Sequence, residues 1–183
     1  MKTLCITGAR QDILDRTFAS LQQVGMAAAK FIERDPKITL QVWHQRVLTG
    51  QARHTDGLFR PGRLWEQLAT DLFLTNIDAP LWGWVDPNSV ALLDFWAEFE
   101  PSVQFVLLCE TPQQLIAKLL QQSTDLDIDA ALAKWQDVHL AMLRFHLRNP
   151  ARSFLVWASN AEKATPVLIE QINQHWHLAL DAS

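Results

Sequence analysis

Short apolar runs alternate with longer stretches of helical period along the chain, and this alternation constrains the fold more than any other feature. It is the pattern expected of a mainly parallel sheet whose strands are joined by helices. The pattern predicts strands at residues 3–7, 26–31, 81–85, 103–109 and 153–158. It predicts helices at residues 12–24, 36–49, 63–76, 87–98, 112–123, 127–148 and 161–177. We therefore expect an α/β fold of three layers, with a central, mainly parallel sheet of about five strands flanked by helices.

Length and composition are those of a globular protein. The 183 residues fit a single domain spanning 1–183, with 49% hydrophobic and 20% charged residues. No apolar run approaches the ~18 residues of a membrane span, so we expect no membrane association. The start, "MKTLCITGAR", is too short in its apolar part for a signal peptide, which favours a cytoplasmic location. Cys5 and Cys109 lie in strand-like runs and are expected to be buried, reduced thiols.

Charge is unevenly distributed along the chain, although the net charge is only -4. Residues 1–63 hold ten Lys and Arg against five Asp and Glu, whereas residues 64–183 hold six against fifteen. A nucleic-acid binder is normally basic overall, so this balance argues against nucleic acid as a partner. The asymmetry instead suggests a polar face for an unknown protein partner or for self-association.

The predicted helix starts are clearly marked. Four pairs place a capping side chain before proline, whose fixed φ and missing N–H suit the first helical position. These pairs are Asp35-Pro36, Asp86-Pro87, Thr111-Pro112 and Thr165-Pro166. Capping boxes are also predicted for Thr111 with Gln114 and for Ser159 with Glu162. Helix initiation therefore accounts for Asp86-Pro87 without a ligand.

The segment from Thr49 to Arg63, "TGQARHTDGLFRPGR", is the clearest predicted loop. Loops of this length inside a domain are often functional, and Arg53, Arg60 and Arg63 make this one a candidate binding surface. The alternative interpretation is a solvated basic loop with no ligand.

The turn after the first strand, "GARQD", is the place where a nucleotide-binding fold would hold a phosphate on backbone N–H groups. Gly8 is not followed by the second glycine and the Lys-Ser/Thr pair of a phosphate loop. Asp12 and Asp15 place carboxylates in the first turns of the following helix, where they repel an anion. Arg10 compensates only in part, so the residues argue against a phosphate site.

The chain resembles the sulfotransferase branch of the P-loop folds, whose members use phosphoadenosine phosphosulfate as sulfuryl donor. Bacterial members commonly read Trp-Gly-Trp-Lys-Asp-Pro-Arg, then a helix ending near Asp-Phe-Trp, a strand, Arg-Asp-Pro and a serine eight residues after that arginine. This chain reads "WGWVDPNSVALLDFW" and then "VQFVLLCETPQQLIAKLL". Trp135 and the closing "SFLVWASNAEKATPVLIEQI" also look like the family. The resemblance implies a P-loop, sulfotransferase-like fold.

The departures from the family pattern fall where its chemistry would be. Val85 and Asn88 stand for the family's lysine and the following arginine. Glu110 and Lys118 stand for the arginine and serine that would hold the donor's 3′-phosphate. The phosphate loop becomes Asp12-Ile13-Leu14, and the acidic residue after the last strand is replaced around Ser159-Asn160. The resemblance therefore implies a degenerate member, for which we expect no cofactor and no catalytic residues.

The tryptophans and histidines have ordinary structural explanations. Trp82 and Trp84 point to the same face of one strand, so core packing and a role in stacking on a ligand are both open for them. The other six tryptophans are expected to be core or half-buried. His139 and His146 share a helix face without cysteine or an HExxH pattern, so no metal site is expected. His44 with Asp35 or Asp56 is a conceivable acid/base pair, but no nucleophile is placed near it.

Three functional hypotheses follow. The first is a non-catalytic binding or interaction module with a sulfotransferase-like fold and no donor-binding residues. The second is an active sulfotransferase or related group transferase with a remodelled donor site that uses Arg10, Arg16 and the loop arginines. Gly8, Arg10 and Lys118 would be its candidate anion contacts. The third is a structural subunit of a homo-oligomer, because fold alone does not fix function.

Overall fold

The computed structural model describes residues 1–30, 38–51, 61–122, 127–159, 165–178 and 180. Five strands form one sheet, in the spatial order β2-β3-β1-β4-β5 with every neighbouring pair parallel. The strands are β1 (Lys2–Gly8), β2 (Ala27–Ala28), β3 (Leu81–Val85), β4 (Val103–Cys109) and β5 (Ser153–Trp157). The predicted α/β fold with a central parallel sheet is confirmed. The strand predicted at 26–31 is shorter than expected, because only two residues pair with the edge of β3.

Seven α-helices flank the sheet in the described part of the chain. They are α1 (Gln11–Gln23), α2 (Leu40–Gln51), α3 (Arg63–Thr75), α4 (Leu93–Phe99), α5 (Pro112–Gln122), α6 (Ile128–Arg148) and α7 (Thr165–Trp176). The helix predicted at 87–98 is divided in two, because its first turns form a 3-10 helix (Pro87–Leu92) before α4 begins. None of the described helices is both long and apolar enough to cross a lipid bilayer.

Alternating strand residues divide the core into two clusters, one on each face of the sheet. One cluster is mainly aromatic and packs β1, β3 and β4 against α2, α3, α4 and α6. We call its central ring system the aromatic cluster: Trp43, Phe73, Trp82, Trp84 and Trp96. The opposite face is aliphatic and packs against α1 and α7. The three layers expected from the sequence are therefore present.

Gly83, between the two tryptophans of "LWGWV", is required by strand packing. A Cβ at this position would lie 2.5 Å from the Leu4 carbonyl oxygen and 3.0 Å from the Met26 sulfur. The first contact is with backbone and cannot be relieved by a rotamer change. The close approach of β1 to β3 therefore explains this glycine without a ligand.

Two predicted helix caps are confirmed. Asp86 Oδ1 accepts a hydrogen bond from the Asn88 N–H at 2.9 Å, with Pro87 in the first helical position. Thr111 and Gln114 form the reciprocal capping box, with distances of 3.3 Å and 3.0 Å. Asp35-Pro36 and Glu162 lie outside the described residues. The last helix begins at Thr165, so the residue that was predicted to cap this helix is its first residue.

The expectations for cysteine and tryptophan are confirmed with one exception. Cys5 and Cys109 are buried free thiols, and burial raises the pKa of Cys109 to about 12. Trp157 was expected to be at least half-buried, but its side chain is 52% exposed. The reason is its position in β5, which is an edge strand of the sheet.

Candidate functional site

The carboxyl ends of β1, β4 and β5 lie side by side, so the turns that follow them meet at one edge of the sheet. The chain places β3 on one side of β1 and β4 on the other, which makes the end of β1 a point where the connections change direction. Open parallel sheets bind their ligands at such points. We call this edge, with the first turns of α1 and α5 and the facing side of α6, the carboxyl edge.

Gly8 ends β1 and is tightly packed against β4. A Cβ at Gly8 would lie 2.5 Å from the Leu108 carbonyl oxygen. Since that contact is with backbone, the packing of β1 on β4 is sufficient to require glycine here. Gly8 therefore gives no independent sign of a phosphate site.

Arg10 follows Gly8 and precedes α1, and two carboxylates hold its guanidinium group. Its Nε and Nη2 atoms donate to Asp12, the Nε contact at 2.9 Å, and its Nη1 donates to Glu110 at 3.3 Å. The hydrogen bonds with Asp12 are the largest cause of the raised pKa of Arg10, and they also lower the pKa of the Asp12 carboxyl. Arg16 adds a second cation to Asp12 at 3.2 Å. The cation at this turn is thus engaged within the protein.

Glu110 is buried at the end of β4, and its backbone is fixed to α6 from both sides. Its N–H donates to His139 Nε2 at 3.0 Å, and its carbonyl oxygen accepts from Trp135 Nε1 at 2.9 Å. The indole and imidazole rings stack with centroids 4.6 Å apart. Burial lowers the pKa of His139, consistent with a ring whose Nε2 accepts a hydrogen bond. This arrangement holds the Glu110 carboxylate beside Arg10.

Two adjoining cavities open at the carboxyl edge. The larger, about 490 Å³, lies between the start of α1 and the facing sides of α5 and α6. The smaller, about 300 Å³, lies near Glu110, α5 and Ser159. Arg10 and Lys118 line both. The larger cavity has the size of a small-molecule site, which commonly measures roughly 300–1,000 Å³.

The turn after β3 contains a buried network that the sequence did not reveal. Asp86 Oδ2 lies 2.7 Å from His44 Nδ1, and Trp96 Nε1 donates to His44 Nε2 at 3.0 Å. Because an indole N–H can only donate, Nε2 accepts and the proton of the ring lies on Nδ1, facing Asp86. His44 and Asp86 are buried, so the pair fastens α2 to the end of β3. No sequence signal joins residues 42 positions apart on different elements.

None of the other predicted site residues that the structure describes lines either cavity. Trp82 and Trp84 were candidates for binding, but both are buried in the aromatic cluster, so no ring face is available to a ligand. Val85 packs on the aliphatic face, and Asn88 is exposed. Arg63 is exposed at the start of α3, whereas Arg53 and Arg60 lie outside the described residues.

Histidine and acidic side chains form no metal centre in the described ranges. No three His, Cys, Asp or Glu residues there are grouped as metal ligands. His139 is engaged with α6 and β4 as above, and His146 Nδ1 lies 2.8 Å from the Ser153 hydroxyl. Asp35 and Asp56, the partners considered for His44, lie outside the described residues.

The class of fold is that of a sulfotransferase domain. Three solved structures match over nearly the whole chain, each at 12–13% sequence identity. At this identity the similarity shows the fold. A scan against protein-family models and a search of the curated proteins each give no match.

The three matched structures align over different shares of their own chains. The sulfotransferase domain of the Synechococcus PCC 7002 olefin synthase aligns with a TM-score of 0.65, covering 98% of this chain and 74% of that one. The sulfotransferase domain of the curacin biosynthetic pathway gives 0.58, covering 97% and 74%. The sulfotransferase from Alicyclobacillus acidocaldarius gives 0.59, covering 100% and 85%. The sulfotransferase-like α/β fold that the resemblance implied is thus present.

Proposed function

We propose that this sulfotransferase-like domain binds no phosphoadenosine phosphosulfate and acts as a non-catalytic binding or interaction module. One observation carries the proposal. Arg10, the cation at the turn where a donor phosphate would bind, is held by Asp12 and Glu110. A ligand phosphate would have to compete with both carboxylates for the same guanidinium group.

The electrostatic balance disfavours a polyanionic nucleotide. A charge-assisted contact to phosphate contributes roughly 1.5–3 kcal/mol, so losing an arginine removes that amount. Opposing a phosphate with a carboxylate costs several kcal/mol more. Glu110 stands where the family places arginine, so it removes the favourable contact to phosphate and adds an opposing carboxylate. Asp12 opposes the other phosphate at the start of α1. The residues present therefore do not fit the donor.

The test is thermal denaturation with adenosine 3′,5′-bisphosphate, the desulfated donor. A bound ligand stabilises the native state by about 2.7 kcal/mol at a hundredfold excess over Kd, which shifts Tm by several degrees. We expect no shift for the wild type at millimolar nucleotide. A clear, saturable shift would overturn the proposal.

Two Glu110 variants separate repulsion from the absence of a site. Glu110→Gln removes the opposing charge with almost no change in shape, and Glu110→Arg supplies the family's cation. We expect neither to bind the nucleotide, because Asp12-Ile13-Leu14 still replaces the phosphate loop. Binding by Glu110→Gln alone would mean that one carboxylate, and not the missing loop, is what excludes the donor.

An active transferase with a remodelled donor site is the second candidate. The observation that favours it is the pair of ligand-sized cavities at the carboxyl edge, both lined by Arg10 and Lys118. Arg16 lies one helical turn after Asp12 in α1 and donates a hydrogen bond to its carboxylate. This candidate predicts saturable nucleotide binding that is lost in Lys118→Ala, which is the opposite of the result expected above.

A further inference from the structure

The larger cavity of the carboxyl edge has an apolar wall built from two helices. On α5, Leu115 and Leu119 are four residues apart and share one helix face. On α6, Ala131, Trp135 and Val138 follow the same helical period. All five side chains are half-buried, and all line the cavity. The wall is therefore an apolar surface that neighbouring side chains do not cover completely.

Trp135 gives this wall a rigid aromatic surface. Its Nε1 donates to the Glu110 carbonyl oxygen at 2.9 Å, and its ring stacks on His139. Both contacts fix the orientation of the indole before any ligand arrives. A ligand that packs on a fixed ring loses less conformational entropy than one that must order a mobile side chain.

Two lysines give the cavity a surplus of positive charge. Lys118 and Lys134 line it, and neither forms an ion pair or hydrogen bond with another described residue. The carboxylate in the described lining is Asp12, which Arg10 and Arg16 already hold. Among the described residues, Lys118 lies beyond ion-pair distance of Asp12 but close enough to help lower the pKa of that carboxyl, and Lys134 has no ion pair, so both ammonium groups can contact an external anion.

We propose that this cavity binds a small organic acid, with a single anionic head held by Lys118 and Lys134 and a flat apolar body against Trp135 and the leucines. The inference rests on the proposed function as a binding module and commits that module to a class of ligand. A nucleotide bisphosphate fits poorly, because its body is polar and its charge exceeds that of two lysines. A neutral apolar molecule would leave both lysines unused.

The experiment is an NMR titration that follows the tryptophan indole N–H signals. The chain has eight tryptophans, and Trp135→Phe identifies the signal of interest. The probes are 2-naphthoate, its neutral analogue 2-naphthalenemethanol, inorganic sulfate and adenosine 3′,5′-bisphosphate. We expect 2-naphthoate to shift the Trp135 signal saturably, and the neutral alcohol to bind weaker by about tenfold or more, because a charge-assisted contact is lost.

Charge reversal tests the role of the lysines. Lys118→Glu combined with Lys134→Glu should weaken 2-naphthoate by about tenfold or more, a change of at least 1.4 kcal/mol. The matched control is Arg144→Glu, which makes the same kind of change at an exposed position of α6 away from the cavity. It should leave the affinity unchanged. An unshifted Tm in each variant shows that the fold is intact.

Each result has one meaning. Absence of a saturable 2-naphthoate shift, equal binding of the neutral alcohol, or an unchanged affinity in the lysine variant would each overturn the inference. Sulfate binding as tightly as 2-naphthoate would also overturn it, since the apolar wall would then contribute nothing. Binding of both 2-naphthoate and the bisphosphate would support the cavity but reject the proposed function. Binding of neither would reject the cavity and leave the loss of the donor site standing.

Discussion

The aromatic cluster and the carboxyl edge differ in how their side chains are used. In the aromatic cluster, large rings are buried together, and beside it Trp96 donates to His44, which contacts Asp86. At the carboxyl edge, cations and carboxylates face each other around open cavities. The first region is closed to ligands and the second is accessible.

This difference bears on the residues that carry the resemblance. Four of them have a structural cause: Gly83 fits β1, Asp86 caps a helix, and Trp82 and Trp84 fill the core. The residues on which the proposed loss of the donor site rests, Asp12, Glu110 and Lys118, lie at the carboxyl edge. The proposal therefore concerns a region whose residues are not needed to fill the aromatic cluster.

Truncating the aromatic cluster should give the largest effect. Trp82 is fully buried between Phe73 and Trp84, so Trp82→Ala should lower the free energy of unfolding by about 3–5 kcal/mol. Urea denaturation measures this change. Trp157→Ala is the control, because Trp157 is about half exposed and should change stability by less than about 1 kcal/mol. Equal losses in the two variants would contradict the assignment of the core.

Asp86 joins a helix cap to the buried histidine, and its removal should be the next largest effect. Asp86→Ala should lower the free energy of unfolding by about 2–4 kcal/mol, about 1 for the cap and about 1–3 for the unsatisfied His44 N–H. Denaturant midpoints measure both this variant and Asp86→Asn. The asparagine has only one acceptor oxygen for two donors, so its loss should be intermediate. A loss of only about 1 kcal/mol in the alanine variant would show that the His44 contact contributes nothing.

At the carboxyl edge, unlike in the aromatic cluster, the free energy of unfolding should depend on pH through His139. Burial lowers the pKa of His139 in the folded state below its usual 6.5. The unfolded chain then binds more protons between the two pKa values, so stability is full above pH 6.5 and decreases as the pH falls through the folded pKa. Urea denaturation of the wild type and His139→Gln across this range measures the effect. The variant should lose this part of the pH dependence, and identical profiles would contradict the prediction.

The smallest effect is expected at Arg63. Its side chain is exposed in the first turn of α3, where a positive charge opposes the helix dipole. Arg63→Glu should raise the free energy of unfolding by no more than about 0.5 kcal/mol, and less at high salt. Thermal denaturation at two salt concentrations checks this. A large loss of stability would show that Arg63 has a structural role outside the two regions compared above.

The sequence by itself determined the parts that depend on neighbouring residues. Apolar runs located the four long strands, because burial on both faces requires a continuous apolar segment. Asp86-Pro87 and Thr111 with Gln114 located helix starts, because a cap is formed within a few residues. The identities of Glu110 and Lys118 also underlie the proposal that the anion contacts implied by the resemblance are absent.

Only the tertiary structure decided which distant side chains meet. Arg10 and Glu110 are 100 positions apart and become partners because β1 and β4 are adjacent in the sheet. His44 contacts Asp86, 42 positions away, because α2 packs over the end of β3. The cavity between α5 and α6 likewise depends on how two helix faces are set against the turn after β1. Local sequence propensity does not predict these contacts, because they form only when the helices pack on the sheet.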